Sequence, residues 1–230
     1  MNRHQRPSAP RAKGQREKRL RYLIVCEGRR SEPNYFRTLS SEIKSDIVAV
    51  ELEGDAGCTL RVVERAESLV RKRKQEGQAP YNRVWVVFDY DGREDFKKAI
   101  ERARSRSNGF GCAWSNESFE LWYLLHFQDL ESAITRQQYC DKLETWVRKK
   151  RGNPDFKYQK EDESIYQILK EHGSEADAIR RAEKLRKLHP AKEGNYNEWN
   201  PCTCVDLLVQ ELRNPSIALR AIEHPGQVND

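Results

Sequence analysis

"RVWVVFDYDGRED", residues 83–95, starts as an unbroken run of bulky apolar residues and ends in acidic ones. A run of this kind, without polar alternation, is typical of a strand that is buried on both faces of a parallel sheet. Asp89 and Asp91 stand at its end, one residue apart. Because side chains two apart on a strand point to the same face about 7 Å from one another, the stretch predicts two like charges at the carboxyl end of a central strand.

The same pattern recurs elsewhere in the chain. A second apolar run, YLIVC at 22–26, ends in Glu27, and shorter strand patterns occupy 46–54 and 109–115. Amphipathic patterns separate these runs and predict helices, the first of them with Ser31 as its N-cap. Strands that alternate with helices form parallel βαβ units with right-handed crossovers. We therefore expect an α/β fold with a parallel sheet flanked by helices.

The sequence changes character after the fourth predicted strand. A strongly apolar helix pattern at 117–127 is followed by helix patterns alone. These cover 135–150, 161–172, 174–189 and 201–213. We expect an α/β domain over residues 21–130 and a helical C-terminal region, 131–230, packed on it.

The positive charge is concentrated at the N-terminus. Residues 1–21 hold eight Lys or Arg against Glu17, a net of +7, which leaves −1 of the total charge of +6 for residues 22–230. Residues 1–20 have too few apolar side chains to offset the entropy of ordering, so we expect a disordered basic arm. It is either a solubilising tail or a tether to a nucleic-acid backbone.

The chain has no sequence feature of a membrane or secreted protein. No stretch approaches about 18 uncharged apolar residues, and the N-terminus has no apolar signal segment. The six cysteines are dispersed through a long chain, which favours reduced thiols. We expect a cytoplasmic protein without a membrane partner.

The acidic strand ends allow two interpretations. The carboxyl ends of parallel strands meet at one edge of a sheet, so Glu27, Asp89 and Asp91 can converge. Two charges 7 Å apart repel by about 2 kcal/mol at an effective dielectric near 20, but by about 0.6 kcal/mol in water. If the edge is solvated, Asp-x-Asp-Gly is an ordinary turn. If it is a cleft, a divalent cation offsets the repulsion, and oxygen ligands without His or Cys favour Mg²⁺ or Mn²⁺.

Several blocks of the sequence resemble a known family. IVCEG followed about 60 residues later by VVFDYDG looks like the TOPRIM signature, in which a glutamate and an Asp-x-Asp bind magnesium for phosphodiester chemistry. Four blocks in family order resemble the RloB family of TOPRIM-like proteins, which are linked to bacterial antiphage systems. They are YLIVCEGRRSEPNYF (22–36), VWVVFDYDGR (84–93), WSNESFELWYLLHF (114–127) and NPCTCVDLLVQEL (200–212).

The resemblance implies roles for individual residues. Glu27 matches the TOPRIM glutamate, and Asp89 and Asp91 match its Asp-x-Asp, which makes them the expected metal ligands and catalytic residues. Glu120 falls in the family's Phe-Glu-x-Trp element. It is either a further acidic catalytic residue or a carboxylate that stabilises a helix N-terminus. Glu117 departs from the family, because a proline is expected at that position, and this puts the local turn in doubt.

Basic residues near these acids are candidates for nucleic-acid binding. Arg29 and Arg30 precede a helix N-terminus, which favours an anion, and Arg93 follows the Asp-x-Asp. Lys157 and Lys160 flank an aromatic residue, an arrangement suited to backbone contact and base stacking. The alternatives are solvated loop charges for Arg29 and Arg30, a loop packed on its neighbour for Lys157 and Lys160, and an ion pair with Asp91 for Arg93.

His126 is expected to be a packing residue. It lies roughly 240° round the helix from Glu120 and on the same face as Phe119 and Trp122.

These observations lead to two functional hypotheses. The first is a Mg²⁺- or Mn²⁺-dependent nuclease that acts on DNA or RNA as the effector of an antiphage, abortive-infection system. The resemblance also implies an ATPase partner of the AAA or ABC type, since this chain has no phosphate-binding G-x-x-x-x-G-K-[ST] motif. The second is a non-catalytic subunit that binds nucleic acid or a partner and regulates such an ATPase complex. The sequence leaves the oligomeric state open.

Overall fold

The computed structural model describes residues 20–43, 48–105, 110–189 and 195–223. Within them the chain forms a four-stranded, all-parallel sheet in the order β2-β1-β3-β4. The strands are β1 (Leu20–Cys26), β2 (Val48–Glu53), β3 (Arg83–Tyr90) and β4 (Gly111–Asn116). The predicted basic arm, residues 1–20, falls outside the described residues except for Leu20.

Helices cover both faces of the sheet. In β1, Leu23 and Val25 pack with the helices that follow β2 and β3, whereas Tyr22 and Ile24 pack with the helices that follow β1 and β4 and with the C-terminal helices. The predicted α/β fold class is therefore confirmed. The helices are α1 (Ser31–Ser41), α2 (Thr59–Gln75), α3 (Phe96–Arg104), α4 (Glu120–Leu125), α5 (Arg136–Arg151), α6 (Ile165–His172), α7 (Glu175–Leu188), α8 (Val205–Arg213) and α9 (Pro215–Glu223).

The strand order creates a crevice between β1 and β3. The chain passes from β1 to β2 on one side and then crosses to β3 and β4 on the other. In open α/β sheets, ligands bind at such a reversal, outside the carboxyl ends of the strands. Glu27 and Asp89 stand at this edge, at the ends of the two adjacent strands.

Two local predictions fail at helix starts. Ser31 is the first residue of α1 rather than its N-cap, and Arg30 holds the cap position without a side-chain hydrogen bond. Helix α4 begins only at Glu120, because the backbone between β4 and α4 turns sharply at Glu117, whose φ is +67°. Proline cannot adopt this angle, since its ring fixes φ near −65°. At this turn the chain therefore follows a path that the family's proline would not allow.

The C-terminal region contacts the sheet both through α8 and through the segment before it. Thr203 forms an antiparallel bridge with Ser115 of β4, and the Cys204 amide donates to the Trp114 carbonyl at 2.8 Å. The guanidinium of Arg83, at the start of β3, binds both carboxylate oxygens of Glu211 in α8 at 2.8 Å. Among the described residues, no helix is long and apolar enough to cross a membrane.

Candidate functional site

A cleft of about 230 Å³ opens at the carboxyl edge of the sheet. Its walls come from the turn after β1, the first turn of α1, the end of β3, and the first residues of α4 and α5. Carboxylates dominate its lining. They belong to Glu27, Glu32, Asp89, Asp91, Glu120 and Glu161.

Glu27 is tied to the neighbouring strand. Its amide donates to the Val87 carbonyl at 2.9 Å, and its Oε2 accepts a hydrogen bond from the Asp89 amide at 3.1 Å. Burial raises the pKa of Glu27 to about 7; the Asp89 amide opposes this rise, and the charges of Asp91 and Glu32 add to it. Glu27 and the Asp-x-Asp pair therefore share one rim of the sheet, as the parallel topology predicts.

Asp89 is the more buried of the two aspartates. The residue is 7% exposed, and its Oδ2 accepts from Nη2 of Arg136 at 3.1 Å. Its Oδ1 is buried and has no hydrogen-bond partner among the described residues. Burial, followed by the charges of Glu32 and Glu120, raises the pKa of Asp89 well above its ordinary value. One oxygen of this carboxylate is thus available to a ligand.

Asp91 lies nearer the surface, with its side chain 39% exposed. Its Oδ1 is 3.2 Å from Nη1 of Arg136. The structure therefore pairs Asp91 with Arg136, not with the neighbouring Arg93 that the sequence suggested as one alternative.

Glu120 is the first residue of α4 and is 1% exposed. The Tyr158 hydroxyl donates to its Oε1 at 3.0 Å. The Tyr158 ring is set edge-on to Tyr123. Tyr158 thus packs against its neighbours and orients Glu120 in the cleft lining, which differs from the base-stacking position that the sequence suggested for it.

The sequence analysis missed Glu32 and Arg136. Glu32, in the first turn of α1, is 6% exposed, and burial followed by the charge of Glu120 raises its pKa. A Cβ atom on Gly28 would collide with the Glu32 carboxylate, so a larger residue there would displace that side chain from its position in the cleft. Glu32 carries the same local signal as Glu120, since each is an acid in the first turn of a helix at this edge. Arg136 gave no local signal, because its position depends on how α5 packs.

The predicted basic residues divide into two groups. Arg29, Arg30 and Lys160 line the cleft, and Arg29 also pairs with Asp55 at 2.7 Å. Arg93 and Lys157 are exposed but do not line it.

The cleft does not hold a converged set of metal ligands. Among the described residues, no three His, Cys, Asp or Glu side chains are grouped closely enough to hold one ion as they stand. The donors are nevertheless all carboxylate oxygens, which suit Mg²⁺ or Mn²⁺, and Asp89 has a free oxygen among them. The residues therefore fit a divalent cation after side-chain rearrangement.

His126 is a packing residue, as predicted. It is 5% exposed, its Nδ1 lies 3.0 Å from the Trp122 carbonyl oxygen, and its ring is edge-on to Trp122. Burial lowers the pKa of His126 to about 4, so the ring is neutral at pH 7.

The fold and the cleft together define an α/β protein with a carboxylate-lined site at the switch point of a parallel sheet. The family model for RloB-like protein matches residues 22–212. The chain therefore belongs to the RloB-like family. Comparisons with curated proteins and with solved structures gave no match.

Proposed function

We propose that this protein is a metal-dependent nuclease that hydrolyses nucleic-acid phosphodiesters. The observation that carries the proposal is the burial of several carboxylates in one cleft at the sheet edge, with Asp89 Oδ1 left without a partner. Buried like charges are costly unless a counter-charge accompanies them. A divalent cation held by Glu27, Asp89 and Asp91 supplies that charge.

Mg²⁺ or Mn²⁺ bound here would activate a water molecule and neutralise charge on the attacked phosphate. Other residues of the cleft would bind the substrate or orient the catalytic acids. Arg30 and Lys160, at the rim of the cleft, attract a phosphate. Tyr158 holds the Glu120 carboxylate in place by its hydrogen bond.

Family membership supports a wider setting for this activity. The resemblance to RloB proteins implies an antiphage, abortive-infection role with an ATPase partner of the AAA or ABC type, and we propose both here. A nuclease with such a partner acts in the cytoplasm, where nucleic acid and ATP are both present. The substrate is DNA or RNA.

A pair of matched variants tests the nuclease proposal. Glu27→Gln should lower Mg²⁺-dependent cleavage at least about tenfold, because it removes a ligand charge while keeping the side chain's size. Glu53→Gln should leave cleavage unchanged, since Glu53 ends the adjacent strand β2 but pairs with Arg65 outside the cleft.

The assay is cleavage of single-stranded DNA, duplex DNA and tRNA by the purified protein, with Mg²⁺ or EDTA. Cleavage that Glu27→Gln leaves intact would contradict the proposal.

A basic strip leads away from the cleft. Residues 156–160 run back along α5 towards the cleft, because Nε of Arg148 donates to the Phe156 carbonyl at 2.8 Å and the Tyr158 amide donates to Glu144 at 3.0 Å. Lys160 ends this path at the cleft. We define the strip as the exposed basic side chains at the end of α5 and in this segment, which are Lys149, Lys150, Arg151, Lys157 and Lys160.

The end of α2 has a similar composition, but three of its four basic side chains at 71–74 pair with acids of the fold. Arg71 pairs with Glu67, Lys72 with Glu76 and Arg73 with Glu51. The strip at the end of α5 is therefore the better candidate for a phosphate backbone that extends out of the cleft.

The double variant Lys149→Gln/Lys150→Gln should weaken binding of single-stranded DNA and reduce the slope of log affinity against log salt by about 1.4, or about 0.7 for each lost phosphate contact. Lys72→Gln/Lys74→Gln, the same charge change at the end of α2, should leave the slope unchanged. Fluorescence anisotropy across a series of KCl concentrations in EDTA measures both slopes. Equal slopes for the two variants would show that Lys149 and Lys150 do not contact the bound DNA.

One observation favours the alternative, a non-catalytic regulatory subunit. Arg136 already pairs with both Asp89 and Asp91, so part of the acidic charge is balanced within the fold. Titration calorimetry separates the two functions, because failure to bind Mn²⁺ at millimolar concentration would favour the regulatory subunit.

A further inference from the structure

A single guanidinium engages both carboxylates of the Asp-x-Asp pair. Arg136 is the first residue of α5, and its Nη2 and Nη1 lie 3.1 Å from Asp89 Oδ2 and 3.2 Å from Asp91 Oδ1. Charge-assisted contacts of this kind are about twice as strong as neutral hydrogen bonds. Arg136 thus satisfies the two residues that are the proposed metal ligands.

The contacts of Arg136 explain why the carboxylates share a cleft without converging on one point. Its carboxylates line one cavity, yet no three of them form a ready ligand set among the described residues. Because Asp89 and Asp91 each direct one oxygen to the guanidinium, the pair is arranged around Arg136 and not around a metal ion. A cation that binds both aspartates would compete with the guanidinium for the same oxygens.

The guanidinium can leave without moving its helix. Helix α5 is anchored by a capping box between Thr135 and Gln138 and by the buried side chains of Tyr139 and Leu143. The Arg136 side chain is 37% exposed, and its Nε has no hydrogen-bond partner among the described residues. Rotation of the side chain towards solvent is therefore sufficient to free both aspartates.

We propose that Arg136 is the resident counter-cation of the metal-free cleft and that a divalent cation binds by displacing it from Asp89 and Asp91. Arg136 then sets the concentration of divalent cation at which the cleft becomes occupied. This inference rests on the proposed metal site. It adds that the Arg136 guanidinium competes with the cation for oxygens of Asp89 and Asp91.

Titration calorimetry with Mn²⁺ tests the displacement directly. Arg136→Gln should bind Mn²⁺ at least about tenfold more tightly than the unaltered protein, because about two charge-assisted contacts no longer have to be broken. Arg30→Gln is the matched control. It removes a positive charge from the same cleft lining without touching the aspartates, and should change the affinity less than about threefold.

Thermal unfolding gives a second reading and shows whether the variants fold. Without metal, Arg136→Gln should unfold at a lower temperature than the unaltered protein, because the two aspartates lose their counter-charge. Added Mn²⁺ should raise its midpoint more than that of the unaltered protein, since at one concentration a tighter ligand stabilises the folded state more. Arg136→Lys, which keeps the charge but not the forked geometry, should have an intermediate Mn²⁺ affinity.

The outcomes distinguish failure of the displacement from failure of the proposed metal site. Equal or weaker Mn²⁺ binding by Arg136→Gln, or equal tightening by Arg30→Gln, would overturn the displacement and leave the metal site intact. Absence of Mn²⁺ binding by both the unaltered protein and Arg136→Gln would overturn the metal site itself, and the displacement with it.

Discussion

Replacing Asp89 with asparagine is expected to lower metal-dependent cleavage at least about 100-fold, because loss of even an outer residue at a metal site commonly costs 10- to 100-fold. The same change should leave the free energy of unfolding of the metal-free protein unchanged, or raise it by about 1 kcal/mol. Asparagine keeps the size of the side chain and an oxygen that can accept from Arg136. It removes a buried charge that lies near Glu32 and Glu120.

The expected change in the free energy of unfolding distinguishes a metal ligand from an acid that stabilises the fold. The pKa of Asp89 in the folded protein is raised above its unfolded value, so the ionised form is disfavoured by folding. A raised acid pKa means that the folded protein binds more protons, and stability falls as pH rises above the unfolded pKa of about 3.9. At pH 7 the charge therefore opposes folding, and a neutral side chain relieves that opposition.

If Asp89 were retained for its ion pair with Arg136, the outcome would be reversed. The variant would then unfold more easily, since a half-buried guanidinium would lose a charged partner. Urea unfolding in EDTA, measured beside the cleavage assay, decides between the two. Loss of stability together with normal cleavage would contradict the metal-ligand role.

Glu211→Ala should have the largest effect on stability, a loss of about 3 to 5 kcal/mol. The Glu211 side chain is 2% exposed and binds the 5% exposed side chain of Arg83 through two hydrogen bonds. It also accepts from the indole of Trp85 at 3.0 Å. Alanine would leave the guanidinium of Arg83 buried without its counter-charge and would break the link between α8 and β3.

Two further variants control this prediction. Glu101→Ala removes an exposed partner of Lys97 in α3 and should change the free energy of unfolding by less than roughly 0.5 kcal/mol. Arg83→Met combined with Glu211→Leu should recover most of the lost stability, because apolar residues can replace a buried ion pair at little cost. A loss below about 1 kcal/mol for Glu211→Ala in urea unfolding would show that the C-terminal helices do not depend on this pair.

The sheet could be predicted from the sequence because its signals are local. Each of the runs at β1 and β3 is continuous and apolar, and each ends in acid, so parallel topology alone brings Glu27 near Asp89. The hydrogen bond from the Asp89 amide to the Glu27 carboxylate confirms that these two strand ends, far apart in sequence, lie together.

The remainder of the site depends on tertiary packing. Arg136 belongs to a helix that starts 45 residues after Asp91, and nothing in its own turn indicates that it faces the cleft. Ser31 has the chemistry of an N-cap, but the chain enters the helix one residue earlier, so a helix boundary was misplaced. Helix α9 was also missed, although Pro215 after Asn214 is a recognised helix start.

Crystals soaked in Mn²⁺ and measured for anomalous scattering test the central claim most directly. The account predicts one strong peak in the cleft, about 2.1 Å from carboxylate oxygens of Glu27, Asp89 and Asp91, with the Arg136 guanidinium turned away from both aspartates. A cleft without a peak at saturating Mn²⁺, with Arg136 still bound to Asp89 and Asp91, would contradict it.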